Sequence, residues 1–194
     1  ERRDNLLGIV LTHAHEDHIG AIAHLWPQLK CKIFATPFTA LLIKEKFKEK
    51  HIVITKELII VQLNGTINLN PFKIEYITLT HSILEPNGLR IETPSGVILH
   101  TGDWKIDPEP LIGENINSNR LKEIGNDGVL AMICDSTNVF SLGKAGSELD
   151  VRKSMLNIMS SLKKRIIIAS FASNVARLET AFYCAEKTGR QISL

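Results

Sequence analysis

An apolar run, "LLGIVL" at residues 6–11, stops at Thr12, and the next eight residues, "HAHEDHIG", hold three histidines and two acids. The run is too short for a core helix and reads as a buried β-strand. A strand that ends in such a cluster delivers it to the edge of a sheet. The chain must therefore build a sheet whose edge accepts imidazoles and carboxylates side by side. In extended backbone His13 and His15, two residues apart, point the same way. Asp17 and His18 then fall on the turn into the helical stretch that follows. Capping of that helix by Thr12 or Asp17 would explain one side chain and none of the histidines. Imidazole and carboxylate are the ligands Zn²⁺ takes where thiolate is absent.

One ion needs three or four ligands, so further ligands are expected elsewhere. His81 ends the strand-like "IEYITLT", and Asp103 follows a strand-like run in "HTGDW". A lone histidine or a turn-forming aspartate at a strand end is commonplace. What sets His13, His15, Asp17, His18, His81 and Asp103 apart is their shared placement at strand ends or just after them. Two ions about 3.5–4 Å apart suit phosphoryl chemistry, and a carboxylate such as Asp103 would bridge them. His24 reads as a helix-face histidine, His51 as a surface histidine, and His100 as a support for its neighbours.

The remaining pattern is mixed α/β. "GAIAHLWPQL" has helical spacing, with Pro27 ending or bending it. "CKIFAT" and "ELIIVQL" read as strands around a charged helix that starts at Pro37. Residues 66–101 are β-rich, with a hairpin turn at "PSG". "NSNRLKEIG" predicts a short helix closed by Gly125. "VLAMICD" predicts a buried strand. Ser147 and Asp150 have capping-box spacing before a helix. "KRIIIASF", a helix over "NVARLETAFYCAEKTG" and a strand at "RQISL" complete a β–α–β–α–β texture, which predicts a parallel sheet. We place a boundary near residue 140: domain one is 1–140, and 141–194 begins a second.

The longest apolar runs are far too short to cross a membrane, and no signal peptide is visible. The net charge of +2 neither demands nor excludes a polyanionic partner. Three widely spaced cysteines without a C-x-x-C favour a reducing compartment and argue against a thiolate metal site. The absence of an initiating Met and the strand just begun at "RQISL" suggest an interior piece of a longer protein.

"THAHEDHIG", "THS" and "HTGD" resemble the metallo-β-lactamase fold. "CDSTN", the Ser-Glu helix start and "RIIIASFASNVARLE" resemble its β-CASP branch, and among its members the ribonuclease J family. The resemblance implies an αβ/βα sandwich, incomplete here, followed by the start of an inserted β-CASP domain. It implies two zinc ions: His13, His15 and His81 on one, Asp17 and His18 on the other, Asp103 bridging. Asp17, Asp103 and Asp135 would be the catalytic acids, with Asp135 beside a proton-donating histidine. The implied activity is hydrolysis of single-stranded, 5′-monophosphorylated RNA, by 5′-to-3′ exonuclease and endonuclease action, in RNA maturation and decay. A cytoplasmic, homo-oligomeric parent is implied as well. The family usually has proline at the position of Leu84 and often histidine at that of Ala176. The last zinc ligand and the general acid are expected outside residues 1–194, so these residues alone are expected to be inactive. A small-molecule thioesterase or lactonase of the same fold and a non-catalytic RNA-binding paralogue are the alternative readings.

Overall fold

Two sheets lie face to face, and helices cover their outer faces. The computed structural model describes residues 3–193. The first sheet is parallel, in the order β1 (Ile9–Val10), β2 (Ile33–Ala35), β3 (Leu58–Ile60). The second joins β4 (Thr66–Leu69), β5 (Phe72–Thr78), β6 (Asn87–Thr93), β7 (Gly96–His100) and β8 (Ala131–Ile133) in chain order. Its pairs are antiparallel except for the last, β7 with β8. The helices are α1 (Glu16–Ile19), α2 (Ile22–Leu29), α3 (Pro37–Glu49), α4 (Ser118–Asp127), α5 (Glu148–Ser161) and α6 (Val175–Lys187).

Alternation along the strands sorts side chains between layers. Ile33 and Ala35 of β2 join Ile19, Ile22, Ala40, Ile43 and Phe47 in a core beneath α1–α3. Phe34, between them, turns to the opposite face and meets Ile74, Tyr76 and Leu89 of the second sheet. On the far side of β5, Ile77 and Leu79 pack with Ile124 of α4 and with Trp104. On that same side Arg120 of α4 grips Glu75 through two hydrogen bonds, both 2.7 Å. The order of layers is thus α, β, β, α, the αβ/βα sandwich expected.

Tyr76 is fully buried between the sheets, and its hydroxyl donates to the Phe34 carbonyl across them at 3.0 Å. A buried phenol is retained where its hydroxyl finds a partner.

Several expectations change on folding. Helix α2 runs through Pro27 and ends only at Lys30. Gly125 lies inside α4, and Gly128, at φ 93°, closes it. The capping box at Ser147 and Asp150 forms as expected. β8 forms too, but on the sheet's outer edge with Leu130, Met132 and Ile133 exposed. Residues 165–170 form no strand, and neither do 190–193; Leu194 lies outside the described residues. No parallel sheet therefore assembles around α5 and α6 among the described residues. The cause is the absence of partners: a β-branched run becomes a strand only where a neighbour accepts its backbone hydrogen bonds.

Helices α5 and α6 instead pack on each other, and hydrogen bonds tie each of them to the sandwich. The buried carboxylate of Asp107 accepts the Glu148 N–H, the first of α5, at 2.8 Å. The Ala176 N–H of α6 donates to the Ser82 carbonyl at 3.3 Å.

Replacing Tyr76 with Phe removes the hydrogen bond between the sheets and leaves the ring in place. Urea denaturation is expected to find the variant less stable by about 1 kcal/mol. A midpoint equal to that of the parent would refute a bridging role for the hydroxyl.

Candidate metal centre

Leu11 continues β1 by donating to the Phe34 carbonyl, and residues 12–15 leave the sheet without regular secondary structure. His15, at φ −67° and ψ 150°, is the last extended residue before α1. No side-chain hydrogen bond caps that helix, so neither Thr12 nor Asp17 is spent on capping. His81 follows β5 and the bridge residue Thr80, and Asp103 follows β7. Both sheets end on the same edge, and all six expected residues meet there.

Four of them converge. His13, His15, His81 and Asp103 each offer one ligand atom within 4.8 Å of the other three. His15 Nδ1 stands 3.2 Å from His13 Nε2 and 3.1 Å from His81 Nε2. Nitrogens around a tetrahedral Zn²⁺, each 2.0–2.1 Å from the ion, lie about 3.3 Å apart. The spacing of the three rings therefore fits a shared ion of that size. Asp17, His18 and Asp103 form a second group of the same kind. His18 Nε2 lies 3.6 Å from Asp17 Oδ2 and 3.2 Å from Asp103 Oδ1.

Asp103 divides its two oxygens between the groups. Oδ2 faces His13 Nε2 at 3.9 Å and His81 Nε2 at 3.7 Å, while Oδ1 faces His18. This is the arrangement a bridging carboxylate needs.

Electrostatics keeps these rings ready to ligate. His13 is fully buried, and its pKa is pushed down to about 3, first by burial and then by His18, His15 and His81. Burial also lowers that of His81, and His15 adds to the effect while Asp103 and Asp135 oppose it. A neutral imidazole keeps the lone pair that a metal takes.

Sequence reasoning missed the groups that orient the rings. The Thr12 hydroxyl sits 3.0 Å from His13 Nδ1, and the Ser82 hydroxyl 3.4 Å from His15 Nε2. A hydroxyl adjacent to a ligand histidine was the available signal. His100 plays the supporting part expected, its Nδ1 accepting the Gly102 N–H at 2.9 Å in the turn before Asp103. Asp135 lies outside both groups. Its Oδ1 accepts the Thr137 N–H at 2.9 Å and the Thr137 hydroxyl at 2.6 Å, which hold its carboxyl below the usual carboxylate range. Its own N–H donates to the Thr101 hydroxyl, tying it to the Asp103 loop. His24 and His51 are exposed, and Trp104 packs under α4.

Four layers with a histidine–aspartate cluster on the common strand edge define a class: α/β/β/α sandwiches able to hold metal ions there. The chain belongs to the metallo-beta-lactamase superfamily, whose family model matches residues 1–126. It is 42% identical over 196 residues to ribonuclease J of Sinorhizobium meliloti (strain Sm2011 / Rm2011 / 2011), covering all of this chain and 34% of that protein. Ribonuclease J of Corynebacterium glutamicum is 40% identical over 189 residues, 95% of this chain and 26% of the relative. Ribonuclease J 1 of Streptococcus pyogenes serotype M3 is 38% identical over 191 residues, 98% of this chain and 34% of the relative. The chain thus spans about a third or less of these relatives. A solved protein of unknown function from Enterococcus faecalis V583 shares the fold, with TM-score 0.63 at 18% identity over 95% of this chain and 45% of that one.

The burial of His13 predicts a pH dependence in the metal-free protein. Between its ordinary pKa of 6.5 and about 3, the unfolded chain binds a proton that folded His13 refuses. Stability is full above pH 6.5 and falls as the pH drops below it, by about 2 kcal/mol from this residue at pH 5. Urea denaturation from pH 7.5 to 5 with chelator present should show the loss, and His13→Gln should flatten it. An equal slope in the variant would count against the assignment.

Proposed function

We propose that the chain carries the metal-binding face of a zinc-dependent ribonuclease. The carrying observation is the division of the Asp103 carboxylate between two ligand groups, and the similarity to ribonucleases J supports RNA as substrate. His13, His15 and His81 would hold one zinc ion, Asp17 and His18 the other, and Asp103 both. Bound there, the pair supplies Lewis acidity for phosphodiester hydrolysis.

The protein's own part is preorganisation. His13, buried and held neutral, and His81, biased the same way by burial, would receive one ion without reorganising. Asp103, placed by the turn at Gly102, would serve both ions. Asp17 is exposed, so the second ion would sit on the solvent side, where a phosphate can reach it. Asp135 stays ionised beside the His81 loop and is read as the acid that orients a proton donor.

On this reading the substrate is single-stranded RNA with a 5′-monophosphate, cut from its 5′ end and internally, as part of RNA maturation and decay. Residues 1–140 belong to the metallo-β-lactamase domain and residues 141–194 begin a β-CASP domain. A cytoplasmic location and a homo-oligomeric full-length protein belong to the same reading. Among the described residues no helix is long and apolar enough to cross a membrane.

The test uses the full-length gene product and 5′-monophosphorylated RNA. Chelation should abolish hydrolysis and zinc should restore it. Loss of a group that merely orients a ligand costs about 10–100-fold, so His15→Ala should cost at least about a hundredfold. Hydrolysis that survives both changes would sink the proposal, and hydrolysis of thioesters or lactones in place of RNA would redirect it.

A further inference from the structure

Asn87 is a polar side chain in a place where an apolar one would be expected. It opens β6, paired with Thr78 of β5, and is fully buried. Its amide makes no contact with the histidine cluster and binds the backbone that carries it. Nδ2 donates to the Thr12 carbonyl at 3.0 Å and to the Glu85 carbonyl at 2.7 Å. The Asn87 N–H donates to the same Thr12 carbonyl at 3.1 Å. Thr12 directly precedes His13, and Glu85 ends the loop that begins at His81.

Both attachments lead to further fixed points. Glu85 holds a left-handed conformation, φ 53°, and its carboxylate accepts the Phe38 N–H at the start of α3, at 2.8 Å. The Asn87 carbonyl lies against Gly102, at φ 59°, where an added Cβ would come within 2.8 Å of that oxygen and 3.1 Å of Thr12 Cβ. Asn87 therefore meets all three segments that bring ligands: residues 12–18, residues 81–85, and the turn before Asp103.

The amide is oriented by what its neighbours need. Among the described residues, Oδ1 is buried without a hydrogen-bond partner. An unpaired buried acceptor is costly. The orientation holds because the amide nitrogen is committed to two carbonyls at once, those of Thr12 and Glu85, which it ties together.

We infer that Asn87 is a positioning residue of the metal centre. Its amide ties the end of β1 to the His81 loop, so that His13, His15 and His81 converge on one point. The inference rests on the metal-binding reading proposed above.

The test measures metal binding by the metal-stripped, full-length gene product. Zinc affinity is read by competition with a chromogenic chelator, geometry by the absorption spectrum with Co²⁺, and folding by the metal-free melting temperature. Asn87→Leu is expected to weaken the tighter zinc site about 10–100-fold, the range for residues that orient ligands, and to change the Co²⁺ spectrum. Asn87→Ser, which keeps one donor and serves if the leucine variant does not fold, should lie between. Arg120→Ala, which breaks the grip of α4 on Glu75 and touches none of the three ligand-bearing segments, should lower the metal-free melting temperature and leave zinc affinity within about twofold. Parental affinity and spectrum in an Asn87 variant would overturn the inference. So would an Arg120→Ala protein that loses as much zinc affinity as the Asn87 variants, because the effect would then be general destabilisation. A parental protein that binds no zinc overturns the metal-binding reading itself, and that failure appears before any variant is made.

Discussion

The contact between the two sheets governs everything at their edge. Phe34 and Tyr76 meet at its centre, and the Tyr76 hydroxyl donates a hydrogen bond to the Phe34 carbonyl. This bond links the middle strand of the parallel sheet to β5 of the other. With the apolar layer around it, it holds the sheets together so that the ends of β1, β5 and β7 lie at a common edge. His13, His81 and Asp103 follow those three ends. A tilt of one sheet on the other would move His81 away from His13 even if every local element survived.

At that edge the protein gathers groups that repel one another when charged. His13, His15, His18 and His81 lie close together, with ring centroids 4.1–5.4 Å from His13. Burial and mutual repulsion disfavour protons on His13 and His81, which keeps these rings neutral. Each neutral ring keeps one nitrogen lone pair. An ion between the rings would take these lone pairs, and Asp103 would offer the negative charge to accompany it. The placement is therefore poor for an isolated polypeptide edge and well suited to a metal site.

The segment beyond residue 140 is organised differently. Its helices bury one face on each other, yet Phe140, Leu142, Ile167 and Phe171 are almost wholly exposed. Its firm attachments run to the ligand-bearing loops: Asp107 to the start of α5, and the Ser82 carbonyl to α6. Lys105 and Arg177 also approach Glu148, at 3.8 Å and 3.5 Å. The orientation of α5 and α6 is in this way coupled to the loops holding Asp103 and His81.

Much of this was legible in the sequence because it depends on local pattern. The run into Thr12, the alternation through residues 66–101, the Ser147–Asp150 capping box and the His13–His18 cluster each join neighbours or near-neighbours along the chain, and His81 and Asp103 were each legible as strand-end residues. The strands expected near residues 166 and 190 did not form, because pairing depends on a partner and not on β-propensity. Residue type and spacing by themselves determined that His13, His15, Asp17 and His18 would stand together on a strand end and the turn after it. Only the tertiary structure decided that His81, 66 positions from His15, would bring its ring nitrogen to 3.1 Å. It also decided that Asp103 would turn one oxygen to each group, and that a buried amide at Asn87 would tie the segments together. Such distances follow from how two sheets pack and which carbonyls lack donors, and neither is written in any single stretch of the chain.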